Sequence, residues 1–169
     1  MGKNDCFRQY PQRVHASTAH STSVYVRLPS HYAVHDRPLD VPAPGAVLLL
    51  NAGTIAVFAG EPDTTGDLAG SVTLSPAYQL QPDGALAVPT GQVFVRFAEG
   101  VAAETRREEL ARAGYEVVQL LAYAPQAAWV RARSGGIAEA LTGIPALEAL
   151  ADVENVEPQM LMKSTQRSQ

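Results

Sequence analysis

The side chains of greatest chemical range in this sequence are four histidines and one cysteine: His15, His20, His31, His35 and Cys6. His31, His35 and the adjacent Asp36 come nearest to a metal-ligand cluster. Zinc wants a fourth ligand on a rigid scaffold, and Cys6 lies far off in a polar stretch without periodicity. Exposed loop histidines are the simpler reading, and no metal site is expected. A Cys6–histidine nucleophile pair fails for the same want of a scaffold. Ser134-Gly135-Gly136 precedes a helix signal but lacks the Gly-x-x-x-x-Gly-Lys spacing of a phosphate loop. Glu104, Glu108 and Glu109 interleave with Arg106, Arg107 and Arg112 at i,i+3 and i,i+4 spacing, the pattern of a solvated helix face. The residues therefore predict no catalytic group and no cofactor, and the chain does not read as an enzyme.

Composition agrees with a binding protein of modest size. The 169 residues are 46% hydrophobic and 18% charged, which is globular usage with enough apolar material for a core. Five basic and seven acidic side chains occupy residues 1–90, and eight and ten occupy the rest, so each half carries −2. Neither half can neutralise a run of phosphates, and nucleic acid is not an expected partner. One cysteine cannot close an intramolecular disulfide. Met1–Arg8 has no apolar run behind its charges and is not a secretory signal. The most apolar stretch, Ala46–Gly60, is too short to span a bilayer and is interrupted by Asn51 and Gly53. A soluble cytoplasmic protein with no membrane partner is expected, or an extracellular one if a leader has been removed.

The elements that must position any site are readable from spacing. Residues 1–22 are polar and aperiodic, and a mobile tail is expected. Ser23–Leu28 alternates as a strand that Pro29 closes, and His31–Pro44, with three prolines, reads as a loop. Val47–Leu50 and Thr54–Phe58 flank Asn51-Ala52-Gly53 as a hairpin, with Gly53 free to take positive φ. Gln81-Pro82-Asp83-Gly84 is a turn between short strands at Ser71–Leu74 and Ala85–Val88. Residues 23–90 thus predict a small all-β region.

From Gln92 the pattern changes. Val93, Val95 and Phe97 line one face of a strand. Ala102–Ala113 predicts a helix stopped by Gly114, and Tyr115–Ala122 and Ala127–Ala132 predict strands. Ile137–Ala151 predicts a helix broken at Gly143-Ile144-Pro145, and Val153–Met160 a final strand. Strand, helix, strand, strand, helix, strand gives an α+β class: a ferredoxin-like βαββαβ antiparallel sheet with two helices on one face, over residues 91–160, preceded by the all-β region. Residues 161–169 would follow as an extended C-terminal tail.

Three segments carry a family resemblance. Val93-Phe94-Val95-Arg96-Phe97-Ala98-Glu99-Gly100-Val101, then Gly114-Tyr115-Glu116-Val117-Val118, then Ala146-Leu147-Glu148-Ala149-Leu150-Ala151-Asp152-Val153-Glu154-Asn155-Val156-Glu157-Pro158 appear in that order. Together they resemble the propeptide of subtilisin-like serine proteases, over roughly residues 92–165. The resemblance implies a sheet that packs on two surface helices of a protease. It also implies an acid, here Glu157, that caps helix N-termini, and a tail that fills the active-site cleft like a product. Carried over by position, the tail is Met160, Leu161, Met162, Lys163, Ser164 and Thr165. No segment resembles a subtilisin catalytic triad, and the chain stops at Gln169, so a subtilisin-like protease is expected as a separate partner or as a lost catalytic domain. The expected function is inhibition or assisted folding of that protease.

The alternative is a non-inhibitory interaction or assembly protein on the same topology. A weaker third is a ligand-binding regulatory domain. Phe94 and Trp129 could be imagined as an RNA-stacking pair, but the charge and the missing basic-aromatic signature argue against it.

Overall fold

The computed structural model describes residues 7–17, 22–38, 42–62 and 73–163. Cys6, His20, Ser164 and Thr165 lie outside the described residues. Nine strands are β1 (Arg13–His15), β2 (Val24–His35), β3 (Ala46–Leu50), β4 (Ile55–Ala59), β5 (Thr73–Gln81), β6 (Leu86–Phe97), β7 (Tyr115–Leu121), β8 (Ala124–Ala132) and β9 (Val153–Met162). The helices are α1 (Arg107–Arg112), α2 (Ile137–Thr142) and α3 (Ile144–Glu148).

The expected α+β, ferredoxin-like class is overturned. Of the described residues 51% are strand and 17% helix, with nine antiparallel strands in one sheet and three short α-helices. The physical reason lies at the element ends. Ala103–Arg106 forms a 3-10 turn because Ala102, at the N-cap, offers no side chain to hold the first free N–H groups, and α1 keeps only six residues. The second helical stretch divides at Gly143, with Pro145 in the first turn of α3, as the sequence predicts. The strands instead run long. β6 runs unbroken from Leu86 to Phe97, joining the strand expected at Ala85–Val88 to the one expected from Gln92, and β9 ends at Met162, two residues beyond its expected end.

Two further differences concern the N-terminal half. Pro29 lies within β2 and does not end it. It falls where the strand is exposed, a position at which a missing N–H leaves no buried acceptor unmatched. β2 therefore runs on through His35, over residues expected as loop. Within the expected tail, Arg13–His15 is a strand, and its Val14 is buried.

The chain divides into two compact units. One comprises 1–24 and 89–159. In it β6 pairs with β8 (Val93↔Val130, Val95↔Ala128), β8 pairs with β7 (Tyr115↔Ala132), and β9 pairs with β6. Val93, Val95, Phe97, Ala128 and Val130 are buried on one side of these strands, together with Leu110, Leu141 and Leu147 of the helices. Tyr115 ties strand to helix, its hydroxyl donating to the Ala140 carbonyl.

The other unit comprises 25–88 and 160–169. Here β3 pairs with β4, β4 with β2, and β5 with β6. Its core is Ala33, Leu50, Ile55, Val57, Ala77 and Val88, with Leu48 and Leu161 packed against it. The β3–β4 turn is the expected Asn51-Ala52-Gly53, all three at positive φ. Thr54 closes it by donating both its N–H and its hydroxyl to the Asn51 carbonyl.

Candidate functional site

Alternation along β6 sends Val93, Val95 and Phe97 into the core and leaves Gln92, Phe94 and Arg96 half-buried on the opposite face. The register places Trp129 of β8 directly across from Phe94, and Arg131 across from Gln92. Phe94 and Trp129 meet edge to face, ring centroids 5.3 Å apart at 62°. β7 adds Gln119 beside Trp129 and Glu116 beside Arg131, and Glu116 accepts from the Arg131 guanidinium at 2.6 Å. Both members of that ion pair are exposed, so it orients the side chains and contributes little stability.

β9 supplies the polar flank. Asn155 is buried; its Oδ1 accepts from Ser17 Oγ at 2.8 Å and its Nδ2 donates to Glu157 Oε1 at 3.0 Å. Thr90 Oγ1 donates to Gln159 Oε1 at 2.7 Å. An aromatic pair rimmed by charged and amide side chains is the composition of a protein-binding patch.

The residues expected to bind a protease are placed as follows. Glu157 is half-buried, positioned by Asn155 in the first unit. Met160, Leu161 and Met162 are strand residues of β9 in the second unit. Leu161 packs on the core cluster there, Met162 is 37% exposed, and Lys163 is exposed just past the strand end. Ser17, Asn155 and Thr90 were not singled out from the sequence. Their partners lie 138 and 69 residues away, and no local signal marks them.

A second polar cluster has the residue types of a nucleophilic dyad. His35 Nε2 lies 2.8 Å from Ser75 Oγ, and both side chains are buried. Ser75 Oγ also lies 3.1 Å from the Pro76 carbonyl, so its one proton has two acceptors in reach and the direction of the His35–Ser75 bond follows the imidazole tautomer. Both side chains are enclosed, and the pair is a buried polar contact between β2 and β5. Burial lowers the His35 pKa, partly opposed by the Asp36 carboxylate.

The linkage has a definite sign. The folded state favours neutral His35, so this contribution to stability is complete above the unfolded-state pKa of about 6.5 and is lost as pH falls through the folded value. The urea midpoint should fall between pH 7.5 and pH 5 more steeply for the native chain than for His35→Gln. Parallel pH profiles for the two proteins would refute the assignment.

His31 Nδ1 bonds Ser30 Oγ at 2.9 Å, and among the described residues no three His, Cys, Asp or Glu side chains gather as a metal site. Among the described residues no helix is long and apolar enough to cross a membrane. No family model, curated protein or solved structure matches the chain.

Proposed function

We propose that this chain is a protein-binding module that works by docking and not by chemistry. Its working surface is the β6–β8 face centred on Phe94 and Trp129, and its partner is a subtilisin-like serine protease, the class the propeptide resemblance implies. The carrying observation is the edge-to-face aromatic pair on a sheet face that also bears the Glu116–Arg131 ion pair. Buried aromatic anchors inside a polar rim concentrate binding energy. Glu157, held by Asn155, is the acid available to meet a helix N-terminus on the partner.

The position of Leu161 narrows how blockade could work. A segment that fills a cleft must extend away from its own domain, whereas Leu161 is packed on a core cluster. Any product-like insertion therefore begins at Lys163. The same observation favours a second reading, a non-inhibitory assembly protein that uses the same face.

The test titrates the full chain, a chain ending at Lys163, and Trp129→Ala against a subtilisin-like protease, reading both direct binding and residual peptidase activity. Full chain and shortened chain should bind, and Trp129→Ala should weaken binding by about 30-fold or more, the loss expected of a central anchor. Binding without inhibition selects the assembly reading. Absence of binding at micromolar concentration, or equal binding by Trp129→Ala, defeats the proposal.

A further inference from the structure

In the second unit, β3 ends the strand order, so among the described residues its outer edge is unpaired. Its sequence, Ala46-Val47-Leu48-Leu49-Leu50, holds no charge and no proline. Val47 and Leu49 are 52% and 55% exposed, and only a register shift between Ala46 and Leu48 interrupts the edge. Natural edge strands are usually blunted by lysine, proline or inward charge, and a bare apolar edge marks a pairing site. Beside it runs a groove of about 640 Å³ lined by Val47, Leu48, Leu80, Leu86 and Met162, with Asp83 and Lys163 also on its walls.

We propose that this edge and groove bind a second copy of the chain. The two β3 strands pair antiparallel about a two-fold axis near Leu48, which sets Val47 of each copy across from Leu49 of the other. Charge selects this occupant. An uncharged strand opposes no like charges when it meets itself. The groove carries one acid and one base, so a partner of either single sign gains no net attraction there. A second copy brings one of each, as a self-complementary two-fold interface requires. A five-residue edge buries less than the ~800 Å² per partner of a stable complex, so association should be concentration-dependent, with Kd on the order of micromolar or weaker.

The inference stands apart from the protease reading, because the Phe94–Trp129 face belongs to the other unit. Sedimentation equilibrium of the full chain over a broad concentration range should show mass rising toward twice the monomer. Leu49→Lys, an exposed change that leaves the core untouched, should weaken association at least tenfold. Trp129→Ala should leave it unchanged, as should Leu120→Lys on β7, the strand at the opposite end of the order. A native chain that stays monomeric overturns the proposal. So does Leu49→Lys associating as the native chain does, or Leu120→Lys abolishing association in its place.

Discussion

Replacing Gly143 with alanine is expected to destabilise the protein by about 1–3 kcal/mol, the usual cost of overpacking a filled site. The sign is the informative part. Gly143 has φ −84° and ψ −3°, a right-handed conformation open to any residue. On backbone grounds alone, alanine there would stabilise by roughly 0.4–1 kcal/mol through the unfolded state. Space decides otherwise. A Cβ at this position would lie 2.6 Å from the Tyr115 hydroxyl, 3.1 Å from its ring and 3.2 Å from the Glu139 carbonyl. Tyr115 cannot swing away, being 1% exposed and bonded to Ala140. Burial also pushes its phenol pKa up, so the hydroxyl remains a donor at any working pH.

Tyr115→Phe alone should cost about 1 kcal/mol for the lost hydrogen bond. Combined with Gly143→Ala it should cost less than the two losses added, because the hydroxyl that clashes is gone. Urea denaturation of the four proteins measures this. Strict additivity would show that the clash is not what penalises Gly143→Ala.

The second large effect concerns the C-terminal strand. A chain ending at Gln159 loses Leu161 from the cluster of Ala33, Leu50, Ile55, Val57, Ala77 and Val88, and loses the end of β9 as well. Removing one packed leucine from a core costs about 2–5 kcal/mol, and loss near the middle of that range is expected. A chain ending at Lys163 keeps every one of these contacts and should unfold at the native midpoint. Thermal or urea unfolding of the two truncated chains distinguishes a structural strand from a free tail. Equal stability of both would return Met160–Met162 to the role of a mobile insert, and with it the product-like mechanism.

Much of the element order was legible because short-range chemistry dictates it. Val93, Val95 and Phe97 alternate on a strand and are all buried. Gly114 stops α1 at φ +93°, where a side chain would be strained. Asn51-Ala52-Gly53 and Gln81–Gly84 turn where their residue types favour turning. What spacing could not convey was how far strands run and what they join. Pro29 has strand-ending character, yet exposure removes its penalty. Met160–Met162 reads as a tail because three apolar residues near a chain end carry no partner information, and Leu161 finds its neighbours 73 to 128 positions away, from Val88 to Ala33. The fold class failed for the same reason, since nothing local in the sequence says how many strands one sheet takes up.

Of the candidate face, Phe94 and Trp129 were legible as a possible aromatic pair, set aside as an RNA platform, but their edge-to-face contact was not. Their meeting depends on the β6–β8 register. The His35–Ser75 contact was invisible, because it joins residues 40 positions apart with no motif between them.

Trp129 is the single tryptophan of the chain. Its indole lies against Phe94 on the candidate face, and β3 belongs to the other unit. The molecule thus carries its own optical probe on the face proposed for docking. Intrinsic emission excited at the indole band reports the polarity of that one surface, free of background from any other indole. Association through β3 is silent in the same channel, so a single fluorimeter cuvette separates the two kinds of encounter without a label.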